Sequence, residues 1–365
     1  MIHTSNSTPV AVIERVEAEV VSAPKPMTVP TVRNHTYTRR TLFEGNRRRI
    51  SWDNRQNIWD GLGNDVSTAS SAMEVCRLAG LDYEVKTENI YTSDGLVIPN
   101  MVATRRYDND VPSTVYGVVT NRYEPVQNHK GFEFMDVMFN HDGFEVETAG
   151  QFDDGKIVWI EARLPQRTIG GENIDPYLVF TNRHDGKGSV KIFLTPVRVI
   201  CKNTLNMAIK KAQNRTFSVK HTATANARLE VAKETLEHYN AYLSAMNDQI
   251  ERQKTIFLED KQLENMINLM FQFKEEDSQR TKEKVMLQRT QLLDTYRNAP
   301  DLDGYGNTAF RFVNAVSDWA THHIPSRQTK NWRSNLMQNT LEGNKYIDMA
   351  VNMVDEMEPR KMIAI

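Results

Sequence analysis

Lys156-Ile157-Val158-Trp159-Ile160-Glu161-Ala162-Arg163-Leu164, KIVWIEARL in one-letter code, changes character at every second position. Successive side chains of an extended strand point to opposite faces. Val158, Ile160, Ala162 and Leu164 therefore form one apolar face, directed inward, and Trp159, Glu161 and Arg163 form the other. Segments of similar composition lie on both sides: VYGVVT at 115–120, YLVFT at 177–181 and SVKIFLT at 189–195. Asp-Gly pairs at 94–95, 142–143, 154–155 and 185–186 separate the apolar segments from Tyr83 to about Arg198. Asp-Gly between such segments favours a tight hairpin, because both central residues of the turn need positive φ. The expectation is an α+β fold: a hairpin-rich antiparallel sheet with flanking helices, including one helix over Lys130–Phe139, followed by a long helical arm and C-terminal helices.

Four regions follow in order. Residues 1–50 carry Pro9, Pro24, Pro26 and Pro30 and end in Arg39, Arg40, Arg47, Arg48 and Arg49, the composition of a flexible basic arm. Residues 51–225 hold the α+β core. In it Ala72, Val75, Cys76 and Ala79 recur at helical spacing, Ser67 or Thr68 supplies a cap, and Gly80 ends the helix. Cys76 reads as a small core residue. A second helix is expected over Cys201–Lys211. Residues 226–300 show a three-four stripe, Leu229, Ala232, Leu236, Tyr239, Leu243, Met246, Ile250 and Phe257, with Gln253 filling one slot. With further helices over 261–273 and 282–296, this is a helical hairpin or arm whose stripe packs within the chain or against a second chain. Residues 301–365 form a C-terminal helical segment, with helices over Thr308–His323 and Asn344–Met357.

Composition narrows the function classes. The 365 residues hold 45 Lys+Arg against 47 Asp+Glu, a formal net charge of −2, which excludes a generally basic coating protein. With 39% hydrophobic and 25% charged residues the chain reads as globular. No apolar run approaches the ~20 residues of a membrane span. Acids occupy the N-terminal stretch where a signal peptide has its apolar core. Cys76 and Cys201 show no metal-ligand spacing and fit a reducing compartment.

Within that neutral total lies a basic strip. Arg183, Lys187, Lys191, Arg198, Lys202, Lys210, Lys211, Arg215 and Lys220 occur between residues 183 and 221, with Asp185 as the sole acid. Phosphate is the natural partner of such a strip, since each cation placed on a phosphate releases a counterion; a solvated face is the other reading. Phe193, Phe217, Trp159 and Tyr177 are candidate stacking surfaces or core. The loop Asn182–Ser189 has two glycines and a lysine but leads into a strand, so it reads as a hairpin turn and not a phosphate loop. The histidines form no zinc-binding pair, Asp153-Asp154 reads as a solvated turn, and no nucleophile motif occurs, so no catalytic residue, metal or cofactor is expected.

Several segments together resemble a phage/plasmid-like family, domain of unknown function 932 (DUF932): WDGLG at 59–63, AGLDYEV at 79–85, YGVVTNRYEPVQN at 116–128, NRHDGKGS at 182–189, TPVRVICKNTLNMA at 195–208 and NTAFRFVNAVSDWATHH at 307–323. The resemblance implies a protein of a phage, prophage or plasmid acting in a bacterial host's cytoplasm, and it supplies no activity. It draws attention to the strand-to-helix junction of Thr195, Arg198, Asn203 and Thr204. There, free N–H groups of a helix start beside Arg198 and Lys202 suit a phosphate; alternatively, Asn203 and Thr204 cap the helix while Arg198 pairs with an acid such as Glu161.

Two functions follow as expectations. The first is a DNA-associated helper in recombination or replication that binds single-stranded DNA through the strip. The second is a host-takeover or counter-defence protein whose helical arm binds a host or phage protein, or which sequesters a nucleotide signal. No membrane partner is expected, and self-association suits either function.

Overall fold

A computed structural model describes residues 59, 61–133, 135–136, 144–198, 216–223, 235–322, 329, 332–333, 335–337 and 343–357. All of them belong to one compact unit. The basic arm, the 142–143 turn, the 201–211 helix, and Leu229 and Ala232 of the stripe lie outside the described residues.

The first helix, α1 (Ala72–Ala79), buries Ala72, Val75, Cys76 and Ala79, as the spacing predicts, and Gly80 closes it in the left-handed conformation with φ 67°. Its cap is Ser71, whose side chain accepts from the Glu74 N–H. Ser67 and Thr68, the expected caps, precede the helix, and Ser67 instead donates its backbone N–H to Asp65. The cap is the hydroxyl residue immediately before the first apolar position. Burial pushes the Cys76 thiol up to about 12, so it is inert.

Hairpins dominate, but they make two sheets. The smaller has the order β2 (Glu84–Tyr91), β3 (Val97–Asp108), β4 (Val111–Thr120). The larger contains β1 (Asn64–Asp65), β5 (Glu145–Phe152), β6 (Ile157–Arg163), β7 (Arg167–Ile169), β8 (Glu172–Arg183), β9 (Val190–Arg198) and β10 (Thr216–Val219). Its order is β1-β5-β6-β8-β9-β10, with β7 also pairing to β8. All pairings are antiparallel. The Asp-Gly turns at 94–95, 154–155 and 185–186 stand between strands as expected. Of these only Asp154-Gly155 holds both residues at positive φ, the glycine alone doing so at 94–95 and 185–186, whereas two further tight turns, Asn109-Asp110 and Gly170-Gly171, hold both central residues there. A short helix, α2 (Asn128–Phe132), starts two residues before the expected Lys130.

KIVWIEARL differs from its expected half-exposed reading. Its strand β6 is central, and Trp159 and Glu161 are as fully buried as Val158 and Ile160. Trp159 packs with Trp59, Tyr177, Val179, Phe193, Val197 and Met337, so the face assigned to solvent carries a core of its own. Sequence alternation reports two chemically different faces, and it does not report what covers the second.

Helices α3 (Thr235–Thr255), α4 (Asp260–Met270), α5 (Gln279–Asn298), α6 (Ala309–His322) and α7 (Lys345–Asp355) form a layer in which every residue of α6 is buried. The stripe is used inside the chain: Leu243, Met246, Ile250 and Gln253 are all buried, whereas Phe257 falls beyond the end of α3 and is exposed. Three arginines cap helix C-termini, where carbonyls lack partners. Arg289 donates to the Phe271 carbonyl behind α4, Arg311 to Tyr296 and Arg297 of α5, and Arg252 to the Asp355 carboxylate and carbonyl of α7. Helix α3 is fastened to the β7–β8 turn by Asn247, which accepts from the Gly170 N–H at 2.9 Å, and by Lys254, which donates to the Gly170 carbonyl and reaches Glu172 at 3.8 Å. No described helix is long and apolar enough to cross a membrane.

Candidate functional site

One end of the large sheet gathers the β5–β6 turn, the β8–β9 hairpin and the last residues of β10, since Ile157 pairs with Arg183 and Val219 with Val190. Opposite Thr181 on β8 stands Lys191 on β9, and opposite Lys191 stands Ser218 on β10. Alternation then puts Arg183, Ser189, Lys191, Ser218 and Lys220 on one face of the sheet at this rim. The Ser189 and Ser218 hydroxyls lie 2.6 Å apart, and the Lys191 ammonium sits 5.9 Å from the Phe193 ring centre. Lys187 is exposed in the turn and Lys220 is exposed after β10; Arg122, on the adjoining loop, is exposed too. Charge is segregated along the rim, with exposed Asp153 and Asp154 at the β5–β6 turn.

Arg183 is the least available of these cations. Its guanidinium meets Asp185 through Nη2 at 2.7 Å and Nε at 3.2 Å, and its stem runs against Gly188, where a Cβ would fall 2.5 Å from the arginine Cδ. That pairing and the Lys187 backbone N–H hold the Asp185 carboxyl below its usual range against the opposing effect of burial.

Beneath the hairpin lies a buried polar cluster that joins two of the quoted motifs. From the first, β4 and the following loop supply Tyr116, Tyr123, Val126 and Asn128. The second supplies Asn182 and His184, and His221 comes from beyond β10. The Asn128 amide donates to the Leu81 carbonyl at 3.0 Å, so its oxygen accepts from His184 Nε2 at 2.9 Å. His221 Nδ1 accepts from the Val126 N–H at 3.1 Å, and the Asn182 amide donates to the Val126 carbonyl at 2.8 Å. Tyr123 stacks on the His221 ring with centres 4.7 Å apart and donates its hydroxyl to the Arg183 carbonyl. Both imidazoles are held neutral. Burial pushes His184 down to about 3 and His221 down to about 4. The strands also touch directly: a Cβ on Gly117 would sit 2.6 Å from the Asp185 carbonyl oxygen, so β4 crosses the hairpin at a distance that only glycine allows.

Asn128, Asn182, His184 and His221 are buried and Tyr123 half-buried, and their hydrogen bonds tie the loop after β4 to the hairpin that carries the cations. Sequence reading names His184 only as part of a loop and gives His221, Asn128 and Tyr123 no joint role. His221 lies 95 positions from the Val126 N–H that it accepts, so no spacing links the two.

The basic strip and the junction are dispersed. Lys202, Lys210, Lys211, Arg215, Asn203 and Thr204 lie outside the described residues, as does the side chain of Arg198. The Arg198 backbone pairs with Ile174 at the far end of β9, seven residues and thus roughly 23 Å from Lys191. Thr195 is fully buried and its hydroxyl does not face solvent, which removes it from any surface phosphate site. Glu161 is buried and accepts from Thr148 at 2.8 Å. Of the proposed stacking aromatics, Trp159, Tyr177 and Phe193 are core, and Phe217 is half-buried. Among the described residues no group of three or more His, Cys, Asp or Glu is placed to hold a metal ion.

Fold and rim together define an α+β protein in which a small antiparallel sheet braces a hairpin of a larger one, with helices flanking the sheets. The chain belongs to the family Domain of unknown function (DUF932), whose model matches residues 115–341. That span begins in β4 and takes in the polar cluster, the rim and α6, while the motifs at 59–63 and 79–85 precede it. No curated protein and no solved structure matches the chain.

Proposed function

We propose that this protein binds single-stranded nucleic acid, DNA foremost, at the rim formed by the β8–β9 hairpin and β10, as a helper in recombination or replication of a phage or plasmid in the host cytoplasm. The observation that supports it is the sharing of one sheet face by Arg183, Lys191 and Lys220, with the Ser189–Ser218 hydroxyl pair between them and Lys187 in the turn. Lysine ammonium and serine hydroxyl groups are the usual partners of phosphate oxygens, and contacts of this kind hold a strand without reading its sequence. The buried cluster underneath keeps the rim in one shape, so few side chains need ordering when a strand binds. A host protein bound through the helical stripe has less support, because Leu243, Met246 and Ile250 face the interior.

Fluorescence anisotropy with labelled single- and double-stranded oligonucleotides of equal length, at roughly 50 mM salt where phosphate contacts are strongest, tests the proposal. It expects single-strand binding that Lys187→Glu with Lys220→Glu abolishes. Absence of binding, or binding indifferent to those changes, overturns it.

A further inference from the structure

Residues 91–97, the end of the β2–β3 hairpin, are exposed without a break. Of the ten large hydrophobic side chains exposed among the described residues, three lie there: Tyr91, Leu96 and Val97, each at least half exposed. The pairing shows why they project. β4 is joined to β3 as far as Met101–Thr120, whereas β2 and β3 stay paired as far as Tyr91–Val97. The hairpin therefore runs past the end of β4 by four residues, about 13 Å, before it turns. Tyr91 and Val97 stand directly opposite each other, so their side chains share one face. Hydrogen bonds fix the turn. The Thr92 N–H donates to the Leu96 carbonyl at 2.8 Å, the Leu96 N–H to the Thr92 hydroxyl at 3.1 Å, and the Gly95 N–H to the Thr92 carbonyl at 3.0 Å. From Asn89 to Thr104 Asp94 is the sole charged residue. The Thr92 hydroxyl donates to its carboxylate and holds the group below the usual range, so it stays ionised.

The end of the small sheet from which this tip projects is also the end that meets the rim. Beyond Thr120 come exposed Arg122 and then Tyr123, whose hydroxyl donates to the Arg183 carbonyl at 3.2 Å. The β8–β9 turn lies against the last residues of β4, since a Cβ on Gly186 would fall 2.4 Å from Val119 Cγ1. Lys187 is the next residue. The two surfaces are thus neighbours, and each supplies what the other lacks. The rim has cations and hydroxyl groups, but Trp159, Tyr177 and Phe193 of its strands are buried, so no base can stack on them. A site for single strands combines phosphate contacts with an aromatic surface for the bases.

We propose that the tip of the β2–β3 hairpin is the base-contacting part of the single-strand site, with one base stacked on Tyr91 and its neighbour against Leu96 and Val97. This rests on the rim as the phosphate-binding part. Asp94 disfavours phosphate at the tip, and apolar side chains suit the faces of bases. The strand then lies with its phosphates toward Lys187, Lys191 and Lys220 and its bases toward the hairpin.

Anisotropy on the full chain, with a single-stranded oligonucleotide and with a sugar-phosphate chain of equal length that lacks bases, tests the assignment. Loss of one stacked base weakens binding roughly five- to 150-fold. Tyr91→Ala is therefore expected to weaken oligonucleotide binding at least about fivefold, to leave the base-free chain bound as before, and to keep the salt dependence, because no phosphate contact is lost. Tyr91→Phe, which keeps the ring, is expected to bind like the unaltered chain. Oligonucleotide binding that Tyr91→Ala leaves unchanged, or a loss shared equally by the base-free chain, overturns the inference while the rim stands. Absence of single-strand binding by the unaltered chain overturns the rim and the inference together. Tyr91 is more than half exposed, so the substitution removes nothing from the core, and circular dichroism checks the fold. Should Tyr91→Ala misfold, Tyr91→Trp supplies a second reading: the oligonucleotide should quench its indole emission and the base-free chain should not, and emission indifferent to both overturns the inference.

Discussion

Acidification tests the buried histidine pair. Folded, His184 titrates at about 3 and His221 at about 4; unfolding exposes both rings and restores a value near 6.5. Below pH 6.5 the unfolded chain therefore binds more protons than the folded one, and stability falls as pH drops. The loss continues until pH reaches about 4 for His221 and about 3 for His184. At pH 5 each ring lies ~1.5 units below its unfolded pKa while still neutral in the fold, a loss of about 2 kcal/mol per histidine and about 4 kcal/mol for the pair. That is a large part of the ~5–15 kcal/mol by which domains are stable. Carboxylates titrate in the same range, so the informative quantity is a difference. His221→Gln keeps an acceptor for the Val126 N–H and removes the ionisation. Urea unfolding at pH 7.5 and pH 5 is expected to show the variant losing about 2 kcal/mol less than the unaltered chain. Equal losses, to within about 0.5 kcal/mol, or a His221 imidazole resonance, assigned by its loss in His221→Gln, titrating near 6.5 in the folded protein, would refute the reasoning.

Two further substitutions probe the link between packing and the rim. Gly117→Val places a Cβ against the Asp185 carbonyl and is expected to cost about 1–3 kcal/mol, as overpacking does. It should also weaken oligonucleotide binding because the hairpin shifts; thermal unfolding and anisotropy together read both. Arg311→Met removes the buried cap on the last carbonyls of α5. With charge-assisted bonds worth about 1.5–3 kcal/mol, the expected result is a lower melting temperature with binding at the rim unchanged.

The sequence carries local geometry well and covering partners poorly. Asp-Gly spacing locates three of the described turns because the backbone chemistry of a tight turn lies in the two residues that make it. It does not locate Asn109-Asp110, whose residues also tolerate positive φ. Alternation in KIVWIEARL identifies a strand and its apolar face. That Trp159 is nevertheless buried follows from Trp59 and Met337, 100 and 178 positions away, arriving over it. The same limit applies at the site. Lys187 and Lys191 are legible as a basic hairpin, since they are near in sequence and remain near in the fold. The burial of Thr195 and the compensation of Arg183 depend on strand neighbours and a turn carboxylate. Gln253 fits its slot in the stripe because helical spacing is local, even though the slot is polar and buried.

The salt dependence of single-strand affinity measures the rim most directly. Each phosphate neutralised on a single strand contributes about −0.7 to the slope of log affinity against log salt. Replacing Lys187, Lys191 and Lys220 by Gln removes three contacts without adding negative charge, so the slope should become shallower by about two units. A steep slope in the unaltered protein that flattens by that amount in the triple variant is the predicted result. An unchanged slope, with affinity intact, would contradict the assignment of the rim as the place where nucleic acid binds.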